Sequence, residues 1–72
     1  MNGTRINITA RDSAGKLFWW NHQSGTWQEN WGSQCDFQDS HIAYNTRHAI
    51  LAQQRFLDAD EQMHDIEVKE VS

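Results

Sequence analysis

Hydrophobic and polar positions alternate along the first segment of the chain. In "RINITAR" (residues 5–11), Ile6, Ile8 and Ala10 fall on one side, and Arg5, Asn7, Thr9 and Arg11 on the other. A period of two predicts a half-buried strand. "DSAG" follows as an Asp-to-Gly turn signal. "KLFWWN" then predicts a second strand, "HQSG" a second turn and "TWQENW" a third strand, with Trp27 and Trp31 sharing a face. Asp36, Asp39 and Ser40 are candidate N-caps for a helix running to about residue 60. On it, Ile42, Ala43, Thr46, Ala49, Ile50, Gln53, Phe56 and Leu57 form one stripe about 140° wide at about 100° per residue. "DIEVKEV" alternates again, with Ile66 and Val68 opposite Glu67 and Lys69.

The order β-β-β-α-β predicts an α+β fold in one small domain over residues 1–72. The helix is expected to serve as the crossover that brings the last strand in parallel beside the first. That makes a four-stranded mixed sheet of spatial order 3-2-1-4, with one helix on one face. The other face is left for water or a partner.

Alternation also sorts the four rings of "GKLFWWNHQSGTWQEN" (residues 15–30). An even-length loop around "HQSG" pairs position 20 with 27, so Phe18 and Trp20 join the inner face with Trp27. A three-residue loop ending in a left-handed Gly25 would turn Leu17 and Trp19 inward instead. The even loop is the reading adopted, and it leaves Leu17 and Trp19 as an apolar island among Arg5, Asn7, Thr9, Arg11, Gln28, Asn30, Glu67 and Lys69. Covering a Trp removes about 150–250 Å² from water, or about 4–6 kcal/mol before ordering costs. Trp19 is therefore a candidate anchor for a partner, and Leu17 its neighbour. A solvent-facing Trp covered by Arg stems is the plain alternative. On the helix, Tyr44 and Leu51 lie near the back of the stripe beside Arg47, His48 and Arg55, a second candidate contact. An ordinary exposed helix face accounts for the same residues.

Charge adds a third feature. Residues 1–57 hold five cations and four carboxylates, whereas residues 58–72 hold six carboxylates against Lys69 alone. Asp58, Asp60, Glu61 and Asp65 thus suggest an acidic edge facing a basic surface on a larger protein, or simply a solvated face. The whole chain carries a net charge of −4. An acidic chain speaks against a nucleic-acid module. Even so, Trp19 flanked by Arg5, Arg11 and Lys69 would suit base stacking, so a single-stranded nucleic-acid binder is the runner-up.

Other chemistries find little purchase. His41 and His48 are two helical turns apart, about 10.5 Å at 1.5 Å per residue, too far to share one ion. Cys35, His22 and His64 add no zinc-type spacing. No phosphate-binding glycine loop occurs, and no cofactor is expected. The longest apolar run is Leu17–Trp20, so no membrane span is expected. The first residues lack the apolar core of a secretion signal, and one cysteine fits a reducing cytoplasm. Without secretion, the sequons at Asn2 and Asn7 carry no weight.

Two resemblances remain. Gly15, Lys16, Phe18, Trp19, Asn21, His22, Thr26 and Trp27 follow the order found in the central hairpin of WW domains. That likeness implies recognition of proline-rich peptides between aromatic walls. Thr26 and Trp27 are adjacent where the family separates them by one residue, and the likeness covers only the hairpin. A WW-like peptide binder is therefore a lesser alternative. In layout alone (small, acidic, cysteine-poor, one sheet and one helix) the chain resembles accessory proteins of phages and mobile elements, including anti-CRISPR inhibitors. That resemblance implies a non-enzymatic protein-binding module that occupies a surface of a larger nucleic-acid-handling enzyme in the host cytoplasm. A homodimer through the open sheet face is a further expectation.

Overall fold

The computed structural model describes residues 5–71. Strands β1 (Arg5–Arg11), β2 (Leu17–Asn21), β3 (Thr26–Gln28) and β4 (His64–Val71) form one sheet in the order β3-β2-β1-β4, and helix α1 (Ser40–Gln54) packs on β1 and β4. Short 3₁₀ turns lie at Ser33–Cys35 and Ala59–Glu61. The sequon at Asn2 lies outside the described residues.

Both turns follow their local chemistry. Asp12 Oδ1 accepts from the backbone N–H groups of Ala14 and Lys16, and Gly15 takes φ 85° to close the β1–β2 turn. Asn21 Oδ1 caps Gln23 and Ser24 in the same way. The β2–β3 connection holds four residues, so Trp20 pairs with Trp27 and Asn21 with Thr26. The even loop therefore holds, and Gly25 takes its left-handed φ of 71° within it. Trp20 and Trp27 meet edge to face at 5.0 Å on the inner side.

The class and strand order match expectation, but the sheet is antiparallel throughout rather than mixed. β4 pairs antiparallel with β1. The reason is an extra pass of chain. After β3 the chain doubles back to the start of β1, where the Phe37 N–H donates to the Ile6 carbonyl at 2.8 Å. Only then does α1 run to the other end of the sheet, capped by Asp39 Oδ1 on the His41 N–H. Two passes between β3 and β4 reverse the direction that a single helical crossover would give.

The helix also stops sooner than its pattern predicts. Phe56 N–H donates to Gln53 O and Leu57 N–H to Gln54 O, tightening the last turn. The Gln54 side chain then exchanges two hydrogen bonds with the Met63 backbone, at 2.8 and 2.9 Å, and turns the chain into β4.

The core comprises Ile6, Ile8, Ala10, Phe37, Ala43, Ile50 and Ile66, with Trp20, Trp27, Met63 and Val68 packed against it. Several expected members fall elsewhere. Phe18 stands opposite Ala10 but stays half-buried outside this cluster, with the Lys16 ammonium 5.9 Å from its ring centre. Ile42, Ala49, Gln53, Phe56 and Leu57 are exposed, because α1 is turned to put Ala43, Arg47, Ile50 and Gln54 toward the sheet and Phe56 and Leu57 lie past its end. Trp31 lies beyond β3, stacked beneath the Arg5 guanidinium at 4.5 Å, with its indole N–H donating to Asp36 Oδ1 at 3.0 Å.

A candidate binding surface on the open face of the sheet

The strand register assembles the outer face. Thr9 stands between Trp19 on β2 and Glu67 on β4. Asn7 and Thr9 are buried at 5% and 7% exposure, although the helix lies on the other side of the sheet. Neighbouring side chains on the outer face rise around them. Together they enclose a groove of about 350 Å³, floored by Asn7 and Thr9 and walled by Leu17 and Trp19 on the β2 side. Asp65, Glu67 and Lys69 form the β4 wall, and Arg11 closes one end.

The groove is apolar on one wall and ionic on the other. Lys69 Nζ hydrogen-bonds Glu67 Oε1 at 2.9 Å. That bond, then the charge of the ammonium itself, with Arg47 and Arg11 further away, holds the Glu67 carboxyl below its ordinary value. Arg11 donates from Nη1 to the Gly15 carbonyl at 2.8 Å, which fixes the guanidinium at the turn. Along this wall two carboxylates thus stand between two cations.

Asp65 owes its place to a β-bulge. Thr9 pairs with Glu67 but Arg11 with His64, so Asp65 and Ile66 both stand opposite Ala10. Asp65 takes φ 54°, a left-handed conformation that Asp tolerates better than most residues. The bulge keeps Ile66 directed into the core while Asp65 lines the groove.

The candidate residues therefore separate into three places. Leu17, Trp19 and Asp65 share the groove, and Leu17 and Trp19 are half-buried there. Tyr44 and Leu51, 48% and 38% exposed, sit on α1 on the opposite side of the sheet. Asp58, Asp60 and Glu61 cluster in the exposed 3₁₀ turn before β4, with carboxylate oxygens within 4.8 Å of one another. Arg5 does not flank Trp19, since it is engaged with Trp31.

Two features went unforeseen in the sequence. Asn7 donates from Nδ2 to the carbonyls of Ile6 and Cys35 and to Asp36 Oδ1, at 2.8–3.1 Å. It thereby pins the returning segment in the gap where β2 diverges from β1. This amide belongs to the fold. On the inner side, α1 covers β1 and β4 but leaves a smaller groove of about 240 Å³ between Trp20 and Trp27 and the residues Ile50, Leu57 and Met63. A one-sided helix over a four-stranded sheet was the only available signal for it.

Comparison with family models, with characterised proteins and with solved structures finds no match to this chain. Among the described residues, no helix is long and apolar enough to cross a membrane.

Proposed function

We propose that the protein is a binding module whose outer-face groove receives a polypeptide segment of a larger partner. The observation that carries this reading is the juxtaposition of Leu17 and Trp19 with the Asp65, Glu67 and Lys69 wall across a floor only one strand wide. An apolar side chain of the partner would lie on the indole, and its backbone and polar groups would meet the ionic wall. A rigid aromatic on a strand loses little entropy on binding. The acidic turn at Asp58, Asp60 and Glu61 favours a partner whose rim is basic. An inhibitor or modulator from a mobile element, seated on a nucleic-acid-handling enzyme, fits this size and charge; that narrower reading rests on layout alone.

Peptide is favoured over nucleic acid because Arg11 and Lys69 stand beside Asp65 and Glu67. Two cations matched by two carboxylates give a phosphate chain little net attraction. The test is affinity capture from the source cells with wild type and Trp19→Ala, followed by binding kinetics on each recovered protein. Trp19→Ala is expected to weaken binding by about thirtyfold. Neutralising Asp58, Asp60 and Glu61 is expected mainly to slow association and flatten its salt dependence. A partner that binds Trp19→Ala like wild type overturns the groove as the site, and retention on single-stranded DNA in place of any protein overturns the peptide reading.

A further inference from the structure

The outer edge of β4 has a pattern that the groove does not use. Phe37 takes the Ile6 carbonyl on the β2 side of β1, so by the period of two the backbones of Asn7 and Thr9 face β4. Their partners Lys69 and Glu67 face back toward β1. The backbone groups of Ile66, Val68 and Glu70 therefore point outward. Arg47 shows this directly, donating from Nε to the Ile66 carbonyl at 2.7 Å.

From this edge we propose that two copies of the chain join β4 to β4 in antiparallel fashion about a dyad at Val68, making one continuous eight-stranded sheet. The outward groups allow pairing only between even-numbered positions. A dyad at Glu67 would set Glu67 against itself, and a dyad at Lys69 would set Lys69 against itself. Like charges directly opposed are destabilising. The dyad at Val68 instead sets Glu67 opposite Lys69 of the second copy, twice, in the closely spaced non-hydrogen-bonded positions. Val68 meets Val68, and Glu70 meets Ile66, whose carbonyl holds the Arg47 guanidinium. Glu70 thereby gains a cation on the inner side. Charges along an edge strand ordinarily discourage pairing; in this one register each finds its opposite.

The helix fits the same dyad. Ile50 and Gln53 border the groove on the Trp20 and Trp27 side, and Arg47 reaches the β4 edge. Continuing round the helix at about 100° per residue, Leu51 and Tyr44 come next, over the open edge. With α1 over the β1–β4 boundary and strands about 4.8 Å apart, the two helices would run antiparallel about 10 Å apart, near the usual packing distance. Arg47 is held at Ile66, two residues or about 6.7 Å along β4 from the dyad at Val68, so the dyad meets α1 about four residues nearer its N-terminus and each Tyr44 would lie beside the other copy's Tyr44. Tyr44, exposed in the monomer, gains a partner that the monomer does not provide.

Sedimentation equilibrium over a range of concentrations tests this, with circular dichroism melts confirming that each variant folds. Glu67 and Lys69 are both more than half exposed, so reversing them leaves the core intact. Wild type is expected to dimerise. Glu67→Lys and Lys69→Glu should each weaken the dimer by about tenfold or more. The double reversal should restore it, and Trp19→Ala should leave it unchanged. Tyr44→Asp, on the exposed helix, is a second route and should also weaken it. A chain monomeric at millimolar concentration overturns the proposal. So does a dimer insensitive to the single reversals, or one not restored by the double. Loss with Trp19→Ala alone would place the contact on the open sheet face instead.

Discussion

Arg47, in the middle of α1, donates its Nε–H to the carbonyl of Ile66, at the bulge of β4, over 2.7 Å. The bond joins a helix side chain to an edge strand's backbone, and it explains why a charged residue occupies the helix's inner side. Within the single chain this edge carbonyl has no strand to pair with, and a long cationic stem supplies the donor while its methylenes cover apolar surface.

Arg47→Ala is expected to cost about 1.5–3 kcal/mol, the range for a hydrogen bond to a charged group. In a domain this small each kcal/mol lowers the melting temperature by about 4–8 °C. Arg47→Lys should recover only part of the loss, because an ammonium lacks the rigid guanidinium geometry. Thermal melts of the three proteins decide it. An unchanged midpoint in Arg47→Ala would show that the helix is held by its apolar contacts alone.

The two inner tryptophans should separate cleanly from the outer one. Trp20→Ala and Trp27→Ala are expected to cost about 2–4 kcal/mol, somewhat below a fully buried aromatic because both rings are half-buried. Trp19→Ala should cost distinctly less. Urea denaturation measures all three, and the reverse order would mean that the Trp20–Trp27 pairing is not the one populated in solution.

The bulge makes Asp65 a sensitive backbone position. Asp65→Val places a β-branched residue at φ 54° and is expected to cost about 1–2 kcal/mol. Asp65→Gly should match or exceed wild-type stability, since glycine adopts that conformation freely. Equal losses for both variants would trace the effect to the carboxylate and not to the backbone.

Truncation after Met63 should abolish cooperative unfolding. β4 supplies Ile66 and Val68 to the core and the whole of one flank of β1. Calorimetry of the shortened chain is the measurement, and a sharp transition would make β4 an appendage to a three-stranded unit.

Much of this architecture is legible in the sequence. The alternation of "RINITAR" and "DIEVKEV" placed Ile6, Ile8, Ala10, Ile66 and Val68 on one face, since successive strand side chains have no other option. The turn signals Asp12 to Gly15 and "HQSG", ending at Gly25, marked the two hairpins, and both glycines take a left-handed φ there, whereas the Asn21 side chain that caps the second turn was read as part of its strand. Leu17 and Trp19 on the open face followed from the even loop, and the groove they wall lies there.

What tertiary structure alone decided lies where distant segments meet. No local pattern shows that Asn7 will hold residues 35 and 36 in the gap beside β1, or that this return reverses β4. Periodicity placed Ile42 and Phe56 with the core, yet the close approach of Ala43 and the pull of the Ile66 carbonyl on Arg47 set the helix's rotation. Apolar stripes report that a face is buried, but backbone groups needing partners choose which residues fill it, and those partners belong to another part of the chain.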